Sequence, residues 1–260
     1  MPVRADPAAG PQARVLVDAA GRTLARFHAI ERPQRPVADL LEPEPDAPAG
    51  RVAEALAREL AGWRVVVPPP LAELLVGAGA TRHRHARAMS RALHDLPATW
   101  GSVALTGVAV GPLERRAEDL LEARLAAYPP GHVDHHPERD ADPAAALAEL
   151  AGLMGGSHGA LLPASRLALD AVTGAVLGAA LVGAPTEDMP PPLDGPWLLE
   201  LFRVPGRRGV GALLLKRALH ELAAAGHATL GLSVTEGNPA LELYERLDFA
   251  TVWSAVAVDL

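Results

Sequence analysis

The stretch PWLLELFRVPGRRGVGALLLKRALHELAAAG, from Pro196 to Gly226, constrains the fold more than any other part of the chain. An apolar run of strand length passes through a glycine-rich, doubly basic turn directly into a leucine and alanine helix. Pro205, Gly206, Gly209 and Gly211 let the main chain approach a ligand with no Cβ in the way. A helix beginning near Gly211 offers unpaired N–H groups and the positive end of its dipole, and Arg207 and Arg208 add charge-assisted donors at the same spot. Such a corner suits a diphosphate. A P-loop would need Lys and then Ser or Thr after the last glycine, where Ala212 and Leu213 stand; a dinucleotide fingerprint would need glycine at Leu214 and a unit early in the chain. The plainer reading is a strand-to-helix corner with solvated arginines.

The rest of the chain alternates strands and helices. Residues 1–13 read as a mobile Pro/Gly/Ala leader, ARVLVDAAGRTLARF as a hairpin, and RPQRPVADLLEPEPDAPAG as loop or linker. A helix from Arg51, the strand WRVVV, the helix LAELLVGAG and a strand pair near TRHRHARAMSRAL follow. The second half opens with the strand VALTGVAV and two helices, LERRAEDLLEARLAAY and PAAALAELAGLMGG. A hairpin around Thr173 and Gly174 leads into the strand WLLELFRV, the helix after the glycine turn, ATLGLSV, PALELYERL and TVWSAVAVDL. This order predicts an α/β protein with a mixed sheet, divided at 14–100 and 101–260.

With 260 residues, 49% of them apolar, the chain can bury one large or two modest cores. A net charge of −7 argues against broad nucleic-acid binding. Cysteine is absent, which excludes disulfides, thiolate nucleophiles and Cys-based zinc sites. No signal-like or membrane-spanning apolar run stands out, so a soluble cytoplasmic protein is expected.

Two segments echo each other. LAELLVGAGA, from Leu71, lies against ALELYERLDF, from Ala240, without a gap; Leu75 then falls where Tyr244 stands, and no Asn matches Asn238. The same spacing also fits any strand, proline, helix and strand. In the second copy Asn238 caps a helix with Pro239 at its first position, and Ala240, Leu243, Tyr244 and Leu247 share one face.

The pairing of RGVG opening a helix with NPALELYERLDF about 30 residues later resembles the GNAT (Gcn5-related) N-acetyltransferases, specifically from Trp197 to Leu260 and more loosely back to about Val103. Residues 14–100 resemble a shortened, degenerate copy of the same fold. The resemblance implies a mostly antiparallel mixed sheet flanked by helices and acetyl-CoA as co-substrate. It implies that Phe202, Arg203 and Val204 lend main-chain atoms to the pantetheine arm. Arg208, Gly209, Val210, Gly211 and Ala212 would cradle the pyrophosphate, Asn238 would touch the arm, and Tyr244 would face the sulfur. Two registers of the turn stay open: Arg208 in the family's Arg or Gln slot puts Leu213 in its last Gly or Ala slot, whereas pairing Gly209 with Gly211 puts Gly206 in the Arg slot. Asp248 stands where the family has glycine before the phenylalanine.

Acetyl transfer to an amine needs a neutral nucleophile and a proton for the departing thiolate. Tyr244 is the expected general acid, because a phenol is protonated at neutral pH. Glu200, a carboxylate inside the apolar run WLLELF, is the expected base, acting through water; a salt-bridged or rim-exposed Glu200 is the alternative. In HVDHHPERD, His132, Asp134, His135 and His136 lack a fixed scaffold, so no metal is expected, and His135 or His136 is a candidate to touch the acceptor. The expected acceptor is a small-molecule or peptide amine, with no nucleic acid or membrane as partner; the oligomeric state is open, a homodimer included. The rival readings are a non-enzymatic acyl-CoA binding or sensing module and a purely structural α/β domain.

Overall fold

The structure is a computed structural model that describes residues 3–32, 35–136, 140–185 and 192–260. The chain divides into two compact units, residues 1–87 with 253–260, and residues 88–252. The divisions fall after residues 87 and 252.

The first unit contains β1 (Val3–Ala5), β2 (Ala13–Val17), β3 (Thr23–Ile30), β4 (Val37–Pro43), α1 (Ala49–Glu59), β5 (Arg64–Val67) and α2 (Pro69–Gly77). Strands β1 to β4 pair antiparallel in sequence order, and β5 runs parallel to β4 over two residue pairs, Val37 with Arg64 and Ala38 with Val65. The C-terminal strand β12 (Ala250–Asp259) pairs antiparallel with β5, and Arg64 clamps the carboxylate of Asp259 with Nε 2.7 Å from Oδ1. Phe27, Leu56, Val65, Leu75 and Val258 fill the core beneath α1 and α2.

Three sequence expectations change here. The start of the expected leader is strand: Val3, Arg4 and Ala5 pair with Leu16, Val15 and Arg14. The expected linker contains β4, because its prolines Pro36 and Pro43 bound the stretch VADLL rather than interrupt it, and Ala38 and Leu41 are buried under the helices. The expected strand pair near Thr81 is one strand, β6 (Thr81–Ala92), since no glycine or proline breaks it.

The second unit places β7 (Val108–Pro112), β8 (Arg166–Asp170), β9 (Val176–Gly183) and β10 (Trp197–Arg203) in antiparallel order, with β11 (Thr229–Thr235) beyond β10. The far end of β6 neighbours β11. The expected strand VALTGVAV starts only at Val108, because Gly107 turns the chain at φ +75°. Helices α3 (Ala117–Ala127), α4 (Pro143–Met154), α5 (Val210–Ala224) and α6 (Ala240–Arg246) complete the unit. Leu214, Leu215, Leu219 and Leu222 of α5 share one core with Leu230, Leu232 and Phe249, while α3 and α4 close a second over Leu181 and Phe202. Among the described residues no helix is long and apolar enough to cross a membrane.

The two units share a topology. Four antiparallel strands, a helix, a parallel strand, a helix and a final strand follow in order in each, and the second unit alone inserts α3 and α4 after its first strand. The ungapped register that sets Leu71 against Ala240 also aligns the ends of α2 and α6, Gly77 and Arg246, and the starts of β6 and β12, Thr81 and Ala250.

Leu214 is fully buried and Val172 is 91% exposed. Leu214→Ala should therefore lower the unfolding free energy by about 3 kcal/mol, whereas Val172→Ala should stay within about 0.5 kcal/mol. Chemical denaturation of the two variants beside the parent measures both, and equal effects would contradict this packing.

Candidate functional site

Strands β10 and β11 pair parallel at only Trp197 with Gly231 and Leu198 with Leu232, and then part. A β-bulge between Leu198 and Glu200, on the β9 side, accompanies the divergence. Bulges bend a strand and re-aim its side chains. Beyond Leu198 no residue of β10 pairs with β11.

The glycine turn leaves β10 at its parted end. Phe202 is buried between α3 and the sheet, so its side chain is structural; Arg203 is exposed, and Val204 N–H donates to Leu177 O at 2.9 Å. Gly206 and Gly209 take φ of +79° and +84°, the left-handed region that favours glycine, and Gly209 is the N-cap of α5. The first intrahelical bond is Leu213 N–H to Gly209 O at 2.9 Å. The amides of Val210, Gly211 and Ala212 thus point out of the helix end, where an anion is stabilised. Leu105, Thr106 and Val108 line a cavity of about 490 Å³ together with Gly206, Arg207, Arg208 and Val210. Arg207 is held by Asp170, Nη2 to Oδ2 3.1 Å, while Arg208 is exposed on the same turn.

Asn238 stands on the turn between β11 and α6. Asn238 Oδ1 accepts from Ala240 N–H at 2.7 Å, and Asn238 Nδ2 donates to Asp134 Oδ2. Thr235 Oγ1 donates to the other oxygen of the same carboxylate. Gly211 packs against Leu243, with the position of a Cβ there 3.7 Å from Leu243 Cδ2, so the helix end and the Tyr244 helix lie side by side. Tyr244 is buried, its ring edge-on to Phe249 at 5.7 Å. Burial, then Asp134 and Glu200, push its phenol well above the ordinary range.

Glu200 is salt-bridged, which is the alternative that the sequence left open beside the role of base. Arg124, on α3, brings Nη2 within 3.2 Å of Glu200 Oε2 and 2.8 Å of Glu149 Oε2. Its guanidinium is buried, and Nε and Nη1 have no hydrogen-bond partner. The Tyr128 hydroxyl is 3.4 Å from Leu201 O, and burial, then the neighbouring Glu200, push that phenol well up. The sequence reading missed Arg124, Tyr128 and Glu149. Its available signal was a cation on the apolar stripe of α3, since Leu120, Ala123, Arg124 and Ala127 lie at helical spacing.

The histidine segment is only partly visible, because Pro137, Glu138 and Arg139 lie outside the described residues. His135 Nδ1 is 2.9 Å from Tyr128 O, His132 Nδ1 accepts from Asp134 N–H at 3.1 Å, and His136 is exposed. Among the described residues no three His, Asp or Glu side chains gather as metal ligands do.

The chain's two tyrosines both have raised phenols, so tyrosinate absorbance should be missing from the folded protein at pH about 10.5, where a free phenol is more than half ionised. Because the folded pKa values exceed the unfolded ones, this stabilisation is complete below about pH 10 and is lost as pH rises toward the folded values. A normal phenolate titration in folded protein would place these rings in water. Gly209→Ala should lower stability by about 1–2 kcal/mol for the left-handed φ, and its Cβ would stand 3.2 Å from Leu105 Cδ1. Thermal unfolding reads this loss, and an unchanged midpoint would contradict the turn geometry.

No protein-family model matches the chain, and no curated protein matches it in sequence. Solved structures do match. A GCN5-related N-acetyltransferase from Sphaerobacter thermophilus aligns over 96% of this chain and 80% of its own, with TM-score 0.62 and 16% identity. A GCN5-related N-acetyltransferase from Kribbella flavida aligns over 95% and 86%, with TM-score 0.52 and 19% identity. A tandem GNAT protein from the clavulanic acid biosynthesis pathway aligns over 95% and 81%, with TM-score 0.54 and 15% identity. At such identities the likeness is one of fold, and the chain has the fold of the GCN5-related N-acetyltransferases.

Proposed function

We propose that the protein is an acyltransferase that moves an acetyl group from acetyl-CoA to an amine by direct attack within a ternary complex. One observation carries this reading: a glycine turn with outward amides and the exposed Arg208 opens beside two parted strands, with the buried Tyr244 phenol on the helix packed against that turn.

Arg208 and the amides of Gly209, Val210, Gly211 and Ala212 would hold the diphosphate, with Arg207 at its edge on the Asp170 side. Main-chain atoms of Phe202, Arg203 and Val204 on one wall and Asn238 on the other would align the pantetheine arm. Acetyl-CoA supplies an acyl group activated as a thioester. Tyr244, kept protonated by burial, delivers its proton to the departing sulfur. Glu200 accepts the proton of the incoming ammonium through water, and Arg124 and Tyr128 fix the direction in which its carboxylate points. The neutral amine adds to the acyl carbon, its nitrogen gives up a further proton through water, and the C–S bond breaks as the sulfur takes the Tyr244 proton; the phenol regains a proton from water, with no covalent enzyme intermediate. The acceptor is a small-molecule or peptide amine.

The first unit is not expected to bind a second cofactor. Its turn between β4 and α1, EPDAPAG from Glu44 to Gly50, carries two carboxylates, and Pro45 and Pro48 have no N–H to offer an anion.

Calorimetry should find one acetyl-CoA per chain, and Arg208→Ala should weaken it about 10-fold or more, as for loss of a hydrogen bond from a charged group. In a CoA-release assay over an amine panel, Tyr244→Phe should lower kcat by about 10²–10⁴ while acetyl-CoA still binds. Failure of acetyl-CoA to bind would remove the reading. Binding without turnover of any amine would favour an acyl-CoA sensor.

A further inference from the structure

The segment between α3 and α4 makes a contact that acetyl transfer does not call for. It leaves α3 at Tyr128, whose hydroxyl lies 3.4 Å from Leu201 O on β10. It turns through Pro129, Pro130 and Gly131, the last at φ +90°. It then folds back on its origin: the His132 ring meets the Tyr128 ring edge-on at 5.3 Å, and His135 Nδ1 is 2.9 Å from Tyr128 O. Its tip reaches the β11–α6 turn. Asp134 takes hydrogen bonds from Thr235 Oγ1 and Asn238 Nδ2, and Val133 Cγ1 is 3.8 Å from where a Cβ of Gly237 would stand.

One end of this segment is thus fixed at β10 and the other at the β11–α6 turn, and between those two elements the sheet has already parted. The two attachments differ in kind. The Tyr128 end is held within the segment and by a partly buried ring packed against the core, whereas the Asp134 end is held by side chains about 100 residues away in sequence. The bonds from Asp134 to Thr235 and Asn238 are between side chains and belong to no main-chain ladder. The residue it grips, Asn238, is one that the proposed function assigns to the pantetheine arm.

We infer that residues 129–136 form a strap, latched by Asp134 on Thr235 and Asn238, that closes the mouth between β10 and β11 and must unlatch before the acyl-pantetheine arm can enter. This inference rests on the acetyl-CoA reading of the same site. A ligand that binds only the open form has its apparent affinity reduced by the fraction of molecules that are open. Weakening the latch therefore tightens binding, and fixing it abolishes binding.

Both directions can be tested by calorimetry with acetyl-CoA. Asp134→Ala, which removes both latch bonds, should bind about 10-fold more tightly than the parent if the latch is closed about nine-tenths of the time. Since the chain has no cysteine, a double variant, Asp134→Cys with Thr235→Cys, can form only the one disulfide. Oxidised, it should lose acetyl-CoA binding by about 100-fold or more relative to its reduced form, and reductant should restore it. The strap is overturned if Asp134→Ala binds no more tightly than the parent, or if the oxidised pair binds as well as the reduced one. If the parent, Asp134→Ala and the reduced pair all fail to bind acetyl-CoA, the cofactor reading itself falls and the strap with it. A parent that binds while the lock has no effect removes the strap alone.

Discussion

Two strands that begin a parallel pairing and abandon it after two residue pairs set the terms for everything else in the second unit. A backbone edge that gives up its ladder needs other partners, since unpaired N–H and C=O groups are costly when buried. The bulge between Leu198 and Glu200 bends β10 away from β11, and the chain then turns on Gly206 and Gly209 into α5. The helix end and the helix that follows Asn238 then lie side by side, Gly211 against Leu243. Leu105 over Gly209 and Val210 close against Gly178 keep the turn where the strand leaves it.

Buried charge is the second theme. Arg124 is a buried cation whose Nη2 lies between the carboxylates of Glu149 and Glu200, with two further donors unmatched. Removing one partner of such a group leaves an uncompensated charge and is strongly destabilising, whereas the intact pair adds little net stability. Its value is therefore directional: it fixes the Glu200 carboxylate, and Tyr128 crowds the same place. The raised phenol of Tyr244 follows from the same low-dielectric surroundings, with Asp134 and Glu200 opposing a second negative charge.

The first unit repeats the order of elements with different residues at the turn and on the last helix. Its β4 and β5 also part after two pairs, yet the following turn is acidic and proline-bearing, and Leu75 stands at the position of Tyr244. Sequence periodicity made this echo visible in α2 and α6 because their apolar faces carry similar spacing. That the unit boundaries fall inside β6 and β12 was not visible, because nothing local in TRHRHARAMSRAL or TVWSAVAVDL marks them.

Local chemistry determined much of this protein. Glycine and proline positions fixed the turn at Gly206 to Gly211, Thr173 and Gly174 between two apolar runs marked the hairpin of β8 and β9, and helical spacing put Tyr244 on a buried face; all of these rest on residues within a few positions of one another. Tertiary structure decided what Glu200 faces, that Arg124 and Tyr128 meet it, that Asp134 reaches Thr235 and Asn238, and that β4 is a strand between prolines. Those outcomes depend on contacts between elements far apart in sequence. Such contacts are set by how whole faces pack, and no local pattern encodes them.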